Sequence, residues 1–138
     1  MNKRITLVLI ATSLLALPFG AQARGARPLV EPSPVLVPSG TSLDGVAKTI
    51  KLAMADRGWT VGKETPGYIE ANLAVRVHRL RIGIQYDASR ITIKYIDSAE
   101  LKYGVDKQGR PVIHPKYMGW TQNLTAGISK HLLTAGTH

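Results

Sequence analysis

Residues 68–95 read YIEANLAVRVHRLRIGIQYDASRITIKY, and a period of two running through them sets the fold class. From Tyr68, the side chains of Ile69, Ala71, Leu73, Val75 and Val77 point one way. Glu70, Asn72, Arg76 and His78 point the other. A second run sets Ile82, Ile84 and Tyr86 against Arg81, Gly83 and Gln85. After the turn Asp87-Ala88-Ser89-Arg90, a third sets Ile91, Ile93 and Tyr95 against Thr92 and Lys94. Alternation this regular describes strands with one packed face and one wet face, the pattern of an antiparallel sheet.

Upstream, Pro66-Gly67 suits a type II turn, with proline first and glycine at the position that needs positive φ. Before it, Trp59 and Val61 alternate with Thr60 and Gly62 in a short strand, making four strands in all. Before that the period is helical. Leu43, Val46, Ala47, Ile50, Ala53 and Met54 fall on one face, with Lys48, Lys51, Asp56 and Arg57 on the other. Thr41 with Asp44 reads as a capping-box-like start, and Gly58 as the stop.

Downstream, residues 97–114 form a long connection with a turn at Asp106–Arg110 and short paired segments expected at 101–103 and 112–114. Pro115 suits the first position of a closing helix, whose apolar stripe carries Tyr117, Trp120, Thr121, Leu124, Ile128, His131 and Leu132. Helix, four strands, helix is most economically packed as an α+β two-layer sandwich. An antiparallel sheet of about four strands then carries the N-terminal and C-terminal helices on one face.

The first 23 residues have the signal-peptide pattern: Lys3 and Arg4, an apolar run from Ile5 to Phe19, then Ala21-Gln22-Ala23 as an A-x-A site. A membrane anchor needs about 20 apolar residues, more than this run supplies. The mature protein is therefore expected to be exported to the periplasm with no transmembrane anchor. It divides into a Pro-rich, extended and mobile leader at 24–40 and a single domain at 41–138. There is no cysteine, which excludes disulfides and a lipid attachment site, so the core alone must hold the fold.

Loss of Lys3 and Arg4 takes the net charge from +9 to +7. In an exported protein such a charge meets phospholipid headgroups, lipopolysaccharide phosphates and acidic proteins before nucleic acid.

Several spaced residues carry a resemblance. They are Arg57-Gly58-Trp59, Pro66-Gly67-Tyr68-Ile69-x-Ala71, Arg76-x-His78, Ile93-x-Tyr95-x-x-Ser98-x-x-Leu101-x-Tyr103, and Ile113-His114-x-x-Tyr117-x-x-Trp120. Together they resemble a family of small exported bacterial proteins without an assigned activity, often built as lipoproteins. This chain departs from that family in lacking the lipid-bearing cysteine. The resemblance spans about residues 43–132 and implies export and one compact domain, with no chemistry attached.

Four constellations bear on function. Asp97, Ser98 and His114 are the residue types of a hydrolase, but Ser98 lacks the glycine frame of a nucleophile turn, and strand-end capping is the plainer reading. His78, His114, His131 and His138 include no pair at i+3 or i+4, so no metal or other cofactor is expected. Tyr95, Tyr103, Tyr117 and Trp120 read as core between helix and sheet, or as a groove there. Arg76, His78, Arg81 and Lys94 are expected on the open sheet face, as a solvated surface or a dock for an anionic partner.

The expected function is non-catalytic. An exported envelope protein would bind an envelope protein or an anionic envelope component through that basic face or aromatic groove. The alternatives are a periplasmic small-molecule carrier, with a cavity behind Tyr117 and Trp120, and a small hydrolase using Ser98 and His114.

Overall fold

Two antiparallel hairpins make the centre of the molecule. β4 (Tyr68–Val75) pairs with β5 (His78–Tyr86), and β5 with β6 (Arg90–Ala99). The computed structural model describes residues 25–135; the expected signal peptide lies outside them. β3 (Thr60–Thr65) flanks β4 across the Pro66-Gly67 turn, where Gly67 takes φ +83° as the type II reading requires. Ile69, Ala71, Leu80, Ile82, Ile84, Ile91 and Ile93 all face one side and are buried.

Both helices cover that side: Val46, Ile50, Ala53 and Met54 of α1 (Leu43–Asp56) share one core with Tyr117, Leu124, Ile128 and Leu132 of α2 (Lys116–Ala135). The helices touch each other near their ends, where Nε2 of His131 bonds Oδ2 of Asp56 at 2.7 Å. The α+β two-layer arrangement is the one the alternation implied.

α1 starts one residue later than the sequence suggested. Its cap is Ser42, whose hydroxyl accepts from the Gly45 N–H at 3.0 Å, while Thr41 donates to the Pro38 carbonyl. Leu43 consequently lies exposed before the apolar stripe begins. The helix ends as a Schellman motif: Gly58 at φ +81° lets the Trp59 N–H reach the Met54 carbonyl at 2.9 Å. That closure turns Trp59 back into the core beside Met54.

The sheet has more strands than four. The expected mobile leader is extended, as its prolines require, but pinned. Arg27–Pro28 forms β1 against β8 (Pro111–Ile113), and Val35–Leu36 forms β2 at the edge of β6. The result is a five-stranded sheet in the order β2-β6-β5-β4-β3 and a three-stranded sheet in which β8 lies between β1 and Gly104–Val105. β7 (Gly104–Val105) pairs with β8 around the Asp106 turn, a shift from the expected 101–103 and 112–114.

Two irregularities decide which side chain faces where. The β4–β5 hairpin closes at Arg76-Val77, with Arg76 at φ +56° and Val75 directly opposite His78. In β6 the register jumps, since Arg81 faces Asp97 while Ile82 faces Tyr95, and Ile96 is the extra residue of a bulge.

Candidate functional site

The turn at Arg76-Val77 reverses the chain two residues before the expected strand ended. His78 therefore falls on the same side as Leu80 and Ile82, under α2, instead of on the open face. Its ring meets His114 at 6.1 Å and Trp120 edge-on at 5.9 Å between centroids. Nδ1 of His78 lies 2.6 Å from the Glu100 carbonyl; a carbonyl only accepts, so Nδ1 carries the proton.

The Ile96 bulge acts on the next group. Without it Tyr95 and Ser98 would lie on opposite faces; with it both turn to the helix side, and their hydroxyls meet at 2.7 Å. Tyr103 stacks on Tyr95 at 4.4 Å with 16° between the rings, and Tyr117 meets Tyr95 edge-on at 5.7 Å. Thus Tyr95, Tyr103, Tyr117, Trp120, His114 and His78 form one aromatic end of the sandwich.

The end is graded from dry to wet. Tyr117 is fully buried and bonded to the Glu31 carboxylate, whose other oxygen accepts from the Tyr95 N–H at 2.8 Å. Burial first, then that carboxylate, pushes the Tyr117 phenol far above its ordinary pKa. Tyr117 thus belongs to the core, and its ring does not line an open cavity. At the outer rim Tyr103 is 46 % exposed. Beside it a shallow groove of about 560 Å³ is lined by Val77, His78, Ser98, Glu100, Lys102 and Tyr103.

His114 precedes α2 and caps it, its Nδ1 accepting from the Lys116 N–H at 3.0 Å, while Pro115 leads into the first turn as expected. Burial, with Lys102, Lys116 and His78 nearby, holds its imidazole below the usual histidine range.

The expected basic sheet face is not assembled. Arg76 occupies the hairpin turn and His78 the helix side, leaving Arg81 and Lys94 on the open face. Arg81 is engaged there: Nε and a terminal nitrogen bond Asp97 at 3.1 and 2.5 Å, and Glu70 lies at 3.6 Å. The Arg81 guanidinium accordingly holds the Asp97 carboxyl below its ordinary pKa. Sequence reading missed Arg79, which reaches over the turn to the Arg76 and His78 carbonyls at 2.9 and 3.1 Å. Nor did it identify the Arg81–Asp97 pair, which only strand register creates.

Asp97 and Ser98, two of the three residues read as a hydrolase set, lie on opposite faces of the sheet. Asp97 is committed to Arg81 on the open face, and Ser98 bonds Tyr95 on the other. Burial raises the Tyr95 pKa, so the phenol keeps its proton at neutral pH and offers Ser98 no base. The strand-capping role read for Asp97 and Ser98 gives way to the same two contacts.

No family model, curated protein or solved structure matches this chain. Among the described residues no group of three potential metal ligands gathers, and no helix is long and apolar enough to cross a membrane.

Proposed function

We propose that this protein is a non-catalytic binding protein of the bacterial envelope whose contact surface is the aromatic end. The observation that carries the reading is Tyr103. It is a half-exposed ring held parallel on Tyr95, with Tyr95 itself fixed through Tyr117 to the core. An aromatic side chain anchored this way presents apolar area without losing further conformational freedom on binding, which favours association. The open sheet face supports the reading less, because its main cation already has two carboxylates beside it.

Site-specific photo-cross-linking in cells tests it. A photoreactive residue at 103 is expected to form adducts with envelope components, and one at 94, on the open face, to form none. Adducts from 94 alone would move the binding surface to the sheet.

A further inference from the structure

At the aromatic end, the β4–β5 hairpin turns through the exposed pair Arg76-Val77. Its turn places Val77 outward, and this valine is 65 % exposed although it follows directly on the cationic Arg76. Val77 and Tyr103 line the same groove, so an aliphatic tip and an aromatic ring share one rim. Cations surround them. Arg76 is in the turn itself, and the Arg79 guanidinium folds over it. Lys102 lines the groove, and Lys116 opens α2 beside His114.

For Arg76, Arg79 and Lys116 the nearby acids do little to cancel the charge. Asp97 is occupied by Arg81, and Glu31 accepts from Tyr95 and Tyr117, which leaves Glu100 on the groove wall. An exposed apolar tip with a tyrosine beside it and cations around it is complementary to one kind of surface. That surface is a lipid interface, apolar below and anionic at the headgroups.

We infer that this end of the domain docks on an anionic lipid surface, with Val77 and Tyr103 entering the interface and Arg76, Arg79 and Lys116 meeting the headgroup phosphates. The inference rests on the reading that the aromatic end is the binding surface, and it names the partner. Docking is peripheral. Two side chains enter, so binding is reversible and depends on both the apolar contact and the charge.

Vesicle flotation tests the proposal, using the processed protein with its start at Arg24 checked by intact mass. Vesicles of equal parts phosphatidylglycerol and phosphatidylcholine are compared with phosphatidylcholine alone. The protein is expected to float with the anionic vesicles, less so as salt rises. Arg76→Gln should lower partition about fivefold, the factor for one cation near such a surface. Val77→Asp should abolish flotation, and Lys94→Gln should leave it unchanged. Circular dichroism melts separate a folding loss in Val77→Asp from a binding loss, and Val77→Ser supplies a milder second variant.

Absence of flotation in the wild type overturns the proposal. So does equal flotation of the wild type and a folded Val77→Asp. If flotation fails while position 103 still cross-links in cells, the aromatic end stands as the binding surface and the lipid does not. If both fail, the functional reading falls as well.

Discussion

Tyr117, in the first turn of α2, donates its phenol hydrogen bond to the carboxylate of Glu31, 86 residues earlier in the chain. The second oxygen of the same carboxylate takes the Tyr95 N–H of β6. One side chain from a proline-rich segment therefore ties the leader to both layers of the sandwich. It also holds the two inner rings of the aromatic end in place. Tyr117→Phe keeps the ring and removes only the bond. It should cost about 1–3 kcal/mol in urea unfolding, the range for leaving a partly buried acceptor short of a donor. Limited proteolysis within residues 25–40 should accelerate in parallel. Unchanged stability and unchanged cleavage would mean that the short strands alone hold the leader.

The two tryptophans should separate in stability. Trp59 is turned inward by the Schellman closure and is 4 % exposed, whereas Trp120 is half-buried against His78. Trp59→Ala is expected to cost about 3–5 kcal/mol, as for a fully buried ring. Trp120→Ala should cost about half of that, because part of its ring already faces water. Thermal melts of the two variants check the order, and an equal loss would place Trp120 in the core.

Gly83, on the open face of β5, lies under the Tyr68 ring of β4. A Cβ there would stand 2.7 Å from the phenol oxygen and 3.0 Å from a ring carbon. Gly83→Ala should therefore destabilise the sheet by displacing Tyr68. The double variant with Tyr68→Ala should recover part of that loss, with a coupling energy of about 0.5–3 kcal/mol. Strict additivity in the cycle would show that the ring does not cover the glycine.

His114 gives the fold a pH dependence with a defined sign. Its folded pKa is depressed, first by burial and then by Lys102, Lys116 and His78, so the unfolded chain binds the proton more readily. Stability from this group is present above the ordinary value of 6.5 and falls as pH drops below it, levelling off below the folded pKa. His114→Asn offers a neutral side chain that can still accept from the Lys116 N–H, and should flatten that part of the profile. Denaturant melts across this range test it; an unchanged slope in the variant would assign the dependence to other groups.

Arg76 and Val77 show where reading the sequence stops. Period two is local, so the presence of three consecutive strands within residues 68–95, the helical stripes, the Gly58 stop and the Pro66-Gly67 turn follow from spacing and from residue types, whereas the strand bounds do not. The amino-acid order also determined that Tyr95, Tyr117 and the helix would meet, since each lies on an apolar face that has to be buried. It gave no sign of the hairpin at Arg76-Val77, because a left-handed turn residue is usually glycine or asparagine and here it is arginine. Nor could it place the Ile96 bulge, which exists only as a mismatch between β6 and its partner. Those two events moved His78 under α2, Asp97 to Arg81, and Ser98 to Tyr95. Two-residue strands in a proline-rich leader have no period to detect, so β1 and β2 emerged only from tertiary pairing. Side-chain facing on a strand flips with each single-residue slip, and the slips are set by the neighbouring strand, which no local pattern contains.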